Sequence, residues 1–351
     1  MQQNISLNDA ISHRTDTHRF QIRLWLYLIC IMVFAMVIVG GATRLTDSGL
    51  SITEWKPILG IIPPLSTADW QSAFTKYQLI PEYTQINQGM SLSEFKFIFW
   101  WEWAHRFLGR IIGIVFFLPL AFFWMTGRIE KQIKPHLLFL FFLGGLQGAI
   151  GWWMVKSGLV DRVDVSQYRL AIHLIIACLI FAYAFWIARG LAPIEQRPAP
   201  SWLKFTSPFV ALLILLQIFL GGLVAGLDAG LAFNDWPLMD GAIVPDGLAV
   251  LSPNWINWFE NPKAVQFNHR ILAYVLFCVA FLQMLMARTI VAHGGRAKLL
   301  FATIFAQAAL GVTTLVLQVP LNWALAHQAG AIIALGIAIA NWRALIGSYS
   351  Q

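Results

Sequence analysis

Four histidines stand apart in this chain: His105, His173, His269 and His327 each fall inside a long apolar run. An ionisable side chain in such a run is expensive and usually functional. One histidine of this kind is readily explained as a hydrogen-bonded core residue. Two pairs on segments that match each other in sequence are not, and these four form the pairs His105 with His173 and His269 with His327. Two imidazoles facing each other from neighbouring helices suit a flat metal complex with an axial ligand on each side, as in a bis-histidine haem. A zinc site would ask for three or four converging ligands with carboxylate or thiolate help, and the sequence offers no such cluster near these positions. Two haem sites, one per half of the chain, is the reading that follows.

Other residues gather around the histidines. Arg106 and Arg270 directly follow His105 and His269. They suit haem propionates, because guanidinium matches carboxylate geometry, and equally suit snorkelling to the interface. Arg110 lies one turn deeper than Arg106. Glu102 and Gln266, three residues before their histidines, share a helix face with them and are placed to orient an imidazole or to solvate the interface. Glu54 and Asp235, each just before a tryptophan, are loop acids at matched places, with glycines ahead of them that suggest tight turns. A carboxylate folded back over a haem pocket suits proton transfer in an oxidation.

The elements that must hold these residues belong in a bilayer. Of 351 residues 58% are hydrophobic and 12% charged, with a mean hydropathy of +0.66; soluble domains carry about 25% charged residues. Soluble enzyme, disordered scaffold and nucleic-acid binder are thereby excluded. Eight segments are long and apolar enough to span: 24–43, 98–124, 136–155, 169–188, 207–227, 264–287, 298–319 and 322–342. With the N-terminus inside, the inner segments hold thirteen Lys and Arg and the short outer loops four. That asymmetry explains the net charge of +7 and predicts both termini on the cytoplasmic side. The four histidines then all lie on even-numbered spans, roughly 6–11 Å below the outer boundary at the rise of an α-helix. Histidines are not also stacked at the inner depth, so a transmembrane electron wire is disfavoured. The polar, charge-mixed residues 1–23 do not resemble a transit peptide, and the first span is expected to be retained. Cys30, Cys178 and Cys278 all sit in apolar runs and read as small buried hydrophobes.

The chain is also internally duplicated. Val39–Trp55 aligns without a gap on Leu220–Trp236, bringing Gly40, Gly41, Gly49 and Trp55 onto Gly221, Gly222, Gly230 and Trp236. His105-Arg106 matches His269-Arg270, and Gln147 through Gly151 resembles Gln307 through Gly311. Four spans per unit make this a parallel repeat. The expected fold is an all-α polytopic membrane protein with two four-helix bundles side by side. Its parts are a tail (1–23), a first bundle (24–189) with a long outer loop (44–97), a Pro-rich linker (190–206), a second bundle (207–343) and a short tail (344–351).

Several stretches resemble the heme A synthase family. They are Gly40-Gly41-Ala42-Thr43-Arg44-Leu45-Thr46 through Ser51, Glu54-Trp55, Glu94 through Ile98, Glu102-Trp103-Ala104-His105-Arg106, Ala225 through Gly230, and Asn234-Asp235-Trp236-Pro237 through Gly241. The similarity covers nearly the whole chain after the inner tail. It points to the mitochondrial and alphaproteobacterial branch, because the outer-loop cysteine pairs of the Gram-positive branch are missing. The resemblance implies oxidation of the C8 methyl of haem O to a formyl group, by two successive oxidations and loss of water from a gem-diol. It implies haem b as cofactor on His269 and His327 beside Arg270, haem O against His105 and His173 beside Arg106, and Glu54 in a catalytic role. The implied partners are haem O synthase (a protohaem farnesyltransferase), an electron donor such as a ferredoxin, and the lipid bilayer, with room for a homo-oligomer. The implied location is the bacterial inner membrane with haem sites near the periplasmic face. The residues alone leave a second reading open, a non-catalytic di-haem electron carrier. A transporter is disfavoured, since no acid or base sits at the centre of any span.

Overall fold

The computed structural model describes residues 7–56, 59–160, 162–194 and 196–349. In chain order the helices are α1 (Leu7–Leu45), α2 (Thr67–Tyr77), α3 (Pro81–Gln85), α4 (Leu92–Met125), α5 (Lys134–Gly158) and α6 (Gln167–Gly190). They continue as α7 (Ser201–Gly226), α8 (Ala229–Ala232), α9 (Asn257–Glu260), α10 (Pro262–Ala287), α11 (Gly294–Val316) and α12 (Leu321–Ile346). Eight of these (α1, α4, α5, α6, α7, α10, α11 and α12) are long and apolar enough to cross a membrane. They coincide with the eight predicted spans, and no extended strand occurs among the described residues. The protein is an all-helical, multi-pass membrane protein.

Helices α1 and α4 begin well before the expected boundaries, α1 at Leu7 rather than 24 and α4 at Leu92 rather than near 98. Ser91 and Glu94 form a reciprocal capping box there, so the helix starts where its first free amides are satisfied. The extra turns support a module built from the long outer loop. Trp70 and Phe74 of α2 pack on Phe99 and Phe95 of α4, with ring centroids 4.9 and 5.0 Å apart. The 44–97 loop thus has a small core of its own.

Helices α1, α4, α5 and α6 pack as a four-helix bundle in which α4 and α5 touch only sparsely, and α7, α10, α11 and α12 form a second, closed one. Between the bundles α6 meets α7, α12 meets α1, and α6 meets α12. Exchanging the two halves maps these contacts onto one another. A single apolar core runs through both bundles, with Leu26, Ile187, Val210 and Leu335 among its fully enclosed members. Where α6 and α12 face each other the buried residues are often small (Ala177, Cys178, Ala184, Ala334, Ala338), since lipid provides no hydrophobic drive and close backbone packing must do the work. Cys278 departs from expectation: it is exposed on the lipid-facing side of α10 rather than buried, while Cys30 and Cys178 are buried as foreseen.

The second glycine of each repeated Gly-Gly serves this contact between halves. A Cβ on Gly222 would stand 3.0 Å from the Ala171 backbone of α6, and one on Gly41 would collide with the Gln328 side chain of α12. Gln328 there donates from Nε2 to the Val37 carbonyl at 2.9 Å. At the outer rim Arg44 joins the halves by pairing with Asp228 (2.8 Å) and Asp47 (2.9 Å). Both aspartates turn the chain through the left-handed region, with φ of 49° and 47°, and they occupy equivalent repeat positions. Asp tolerates that conformation through local hydrogen bonding. The expected glycine turns are therefore aspartate turns; Gly230 lies inside α8. At the opposite end of the bundle Arg19 of α1 grips Glu130 with two bonds of 2.6 and 2.8 Å.

Gly226 offers a test of the interface, because an added Cβ would lie 2.7 Å from the Gln167 Cα, which no rotamer change can relieve. Gly226→Leu is expected to destabilise the protein by about 1–3 kcal/mol through overpacking. Gly295→Ala, with nothing within 4 Å, should leave thermal unfolding in detergent unchanged or slightly raised. Equal melting temperatures for Gly226→Leu and the parent would refute the close approach.

Candidate functional site

Each of the four histidines is positioned in one way. Its imidazole lies against a glycine on the preceding helix of its bundle: His105 on Gly40 of α1, His173 on Gly151 of α5, His269 on Gly221 of α7, and His327 on Gly311 of α11. A Cβ added at these glycines would stand 2.8, 2.9, 3.2 and 2.8 Å from the imidazole Cε1. Any side chain at these positions would push the ring away. His105 and His173 are electrostatic neighbours, and so are His269 and His327. The structure thus brings His105 near His173 and His269 near His327. Among the described residues no group of three or more His, Cys, Asp or Glu converges to hold a metal ion.

Glutamines hold three of the four rings. Gln217 donates from Nε2 to the His269 carbonyl (3.0 Å) and lies 3.1 Å from its Nδ1. Gln307 does the same for His327, at 2.6 and 3.0 Å. Gln147 donates to the His173 carbonyl at 3.1 Å and approaches its Nε2 at 3.4 Å. The carbonyl can only accept, so the amide nitrogen must face it, and the Oε1 of each glutamine is left as an unused, buried acceptor. These idle acceptors are buried polar atoms left without a partner among the described residues. His105 has no such glutamine: the repeat position of Gln217 is Met36. The Nδ1 atoms of His105 and His173 are buried without a partner. Buried polar atoms are rarely left so, and the donor set, its glycine backing and its idle acceptors fit axial ligation of a haem.

Sequence reasoning passed over Gln217 and the cradling role of the glycines. The signal was present, since Gly40 and Gly221 match in the repeat, as do Gly151 and Gly311.

Glu102 and Gln266 do not orient imidazoles. Glu102 accepts from Ser51 Oγ at 2.7 Å, the Ile52 amide at 2.6 Å and Arg106 at 2.6 Å. Gln266 donates to the Ala229 carbonyl at 2.8 Å and accepts from Arg270 at 3.0 Å. Each is a latch holding its outer loop to the bundle. The arginines complete it: Arg106 donates to the Ile52 and Glu54 carbonyls (2.8 and 3.2 Å), and Arg270 to those of Phe233 and Asp235 (3.0 and 2.9 Å). Arg110 also donates to the loop, at the Lys56 carbonyl (3.1 Å).

The loop acids Glu54 and Asp235 thus occupy equivalent places, but their side chains differ. Glu54 bonds Lys56 and Lys76, both at 2.8 Å, and these bonds hold its carboxyl below the usual glutamate range. Asp235 accepts from the Gly241 and Asp240 amides at 3.0 and 3.1 Å, chiefly the first of which lowers its pKa. Above the first half lies a further acid, Glu82 of α3, which the sequence reading did not single out. Burial and then the neighbouring Glu102 charge raise its pKa from 4.5 to about 8, so it is largely protonated at neutral pH.

With this geometry in view, the comparisons with known proteins are decisive. The family model described as Cytochrome oxidase assembly protein matches residues 23–339. A heme A synthase of Sinorhizobium fredii is 59% identical, over 96% of this chain and 93% of its own length. The chain belongs to the heme A synthase family. Further relatives of the same name are found in Chelativorans sp., 59% identical over 95% of this chain and 93% of the relative, and in Rhizobium meliloti, 58% identical over 96% and 93%. These relatives lend no support to the carrier reading.

Glu82 yields a pH test. Its proton is bound more tightly in the folded state, so the stability it contributes is complete below about pH 4.5 and lost as pH rises to about 8. Melting temperature followed across that window should decline with a Glu82-dependent component that Glu82→Gln removes. An unchanged pH profile in Glu82→Gln would show that this proton is not held in the fold.

Proposed function

We propose that this protein is a heme A synthase that oxidises the C8 methyl of haem O to the formyl group of haem A, serving cytochrome oxidase assembly. His269 and His327 of the second half ligate a resident haem b, and His105 and His173 of the first half face the substrate haem O. The observation that carries this division is the unequal support of the two pairs. In the second pair each ring is approached at Nδ1 by a glutamine amide that also bonds the histidine's own carbonyl, which fixes both imidazoles in position. In the first pair His105 has none, and both Nδ1 atoms are unpartnered. The substrate half also carries the longer outer loop, with α2 and α3, as suits a site that must open and close.

When bound, haem b supplies one-electron chemistry to the neighbouring half. The chain's own residues do the rest. Imidazoles backed by Gly40 and Gly151 fix the height and orientation of the substrate ring. The latches Glu102–Arg106 and Gln266–Arg270 hold the outer loops over the two pockets and limit water. Arg106 and Arg270, already engaged with loop carbonyls, are the cations nearest to hand for the porphyrin carboxylates. Glu54 is ionised at neutral pH, so in this arrangement it acts first as a proton acceptor, with Lys56 and Lys76 stabilising its charged form. Methyl-to-formyl conversion replaces two C–H bonds by C–O bonds, with four electrons passing to an oxidant from outside the chain, and ends with loss of water from a gem-diol.

The excess of Lys and Arg in the predicted inner segments supports cytoplasmic termini, haem sites near the periplasmic face and residence in the bacterial inner membrane. Haem O synthase as the supplier of substrate and a ferredoxin-type electron donor are the partners this reading calls for.

Two experiments test it. His269→Ala or His327→Ala should abolish the low-spin spectrum of the resident haem, while His105→Ala or His173→Ala should keep that spectrum and block appearance of the formyl product in extracted haem. Retention of the resident spectrum in both of the first variants would overturn the assignment. Glu54→Ala should preserve haem content and lower product formation by about 10²-fold, the lower range for a lost general base; unaltered turnover would remove Glu54 from the mechanism.

A further inference from the structure

The two halves differ sharply at one seam. Along α4, His105, Gly109 and Gly113 recur every four residues, and along α5, Gly151, Gly148 and Gly144 recur at spacings of three and four. Each set forms one helical stripe. By the predicted topology both descend from the level of the imidazoles towards the inner side, for about 10–12 Å. Glycines in membrane helices usually permit close packing. Gly113, Gly144, Gly145 and Gly148 do not, because a Cβ at any of them would meet nothing within 4 Å. Helices α4 and α5 touch sparsely, whereas their counterparts α10 and α11 lie together along their length.

The repeat alignment explains how the other seam is closed. Gly113 corresponds to Phe277 and Gly145 to Phe305. Phe277 lies 5.2 Å from Phe301 and 6.2 Å from Phe305 between ring centroids, filling the space that the glycines leave open. In the first half the cleft is floored by Phe117 and Phe141, 5.9 Å apart. At its head stands His173 against Gly151, with its Nδ1 buried and unpartnered like that of His105. An apolar slot thus leads sideways from the bilayer to an imidazole pair whose two Nδ1 atoms are unpartnered, and only in this half.

We infer that the α4–α5 seam is the binding slot for the isoprenoid chain of the substrate, which enters laterally from the lipid with its porphyrin passing to His105 and His173. The inference rests on the reading of the first half as the substrate half. Haem O differs from protohaem in carrying a long, flexible, apolar chain, and that chain matches a narrow, apolar, glycine-lined cleft open to acyl chains. The phenylalanines of the second half refuse such a chain, and so select a haem without one.

The test compares haem O with protohaem. Gly113→Phe and Gly145→Phe each copy the residue of the other half. Purified protein in detergent is titrated with each haem and followed by the Soret band. The parent should bind haem O about tenfold or more tightly than protohaem, as expected from burying even a few apolar carbons. In either variant that preference should fall towards parity, with protohaem affinity within about twofold of the parent on the same scale. An unchanged preference, or equal loss for both haems, overturns the slot. A second measurement needs no variant: haem O with a photoreactive group at the chain terminus should label α4 and α5 between Gly113 and Gly148, and labelling confined to α1 or α6 overturns it. If His105→Ala and His173→Ala leave haem O binding intact, the assignment of the first half fails. If they abolish it while the Phe variants keep their full preference, the slot alone fails.

Discussion

An imidazole with its Cε1 edge set against bare helix backbone is the contact from which the rest of this structure follows. It occurs four times, and each occurrence requires a glycine one helix away, because even a methyl group would stand closer to the ring than packed carbons tolerate. The first glycine of each Gly-Gly faces the histidine of its own half, and the second admits a helix of the other half. One dipeptide therefore sets both the height of a ligand and the distance between the two bundles. A change there moves the site and the interface together.

The sequence repeat supplies two such frames, and their surroundings differ. The backing glycines, the latches beneath the outer loops and the aspartate turns at Asp47 and Asp228 are kept in both halves. What differs is what surrounds the frame. The second half has glutamines on both rings and phenylalanines along its α10–α11 seam; the first has Met36 in place of one glutamine and glycines along its own seam. A bilayer makes that divergence inexpensive, since an open seam between helices is filled by acyl chains rather than by water, and no buried backbone group is stranded.

The latches link the membrane part to the loops above it. Glu102 is buried, with Oε1 met by Arg106 of the same helix and Oε2 by the Ser51 hydroxyl and the Ile52 amide. Lifting the loop would leave one carboxylate oxygen without its donors and Arg106 without its loop carbonyls. In the second half the neutral Gln266 stands in the same place and holds its loop by carbonyl contacts alone. Glu54 and Asp235 ride on these loops, which is why equivalent backbone positions present one carboxylate to lysines and the other to backbone amides.

Much of this was legible in the sequence. Hydropathy alone determined eight spans, because a helix that crosses hydrocarbon must be apolar over its whole length. The repeat grouped the four histidines two to a half, because His105-Arg106 matches His269-Arg270 and each half carries one further histidine in an apolar run. The family was legible from loop motifs such as Glu102-Trp103-Ala104-His105-Arg106. Tertiary structure decided the directions of side chains. Glu102 and Gln266 share a helix face with their histidines yet reach upward to the loop, where unpaired amides and carbonyls compete more strongly for them than a ring does. The capped start of α4 at Ser91 and the core of the 44–97 loop depend on polar and aromatic contacts that carry no helical period. Only packing showed the glycines of α1, α5, α7 and α11 to be seats for imidazoles and those of the α4–α5 seam to face open space, since a missing side chain has no meaning until the neighbouring helix is in place.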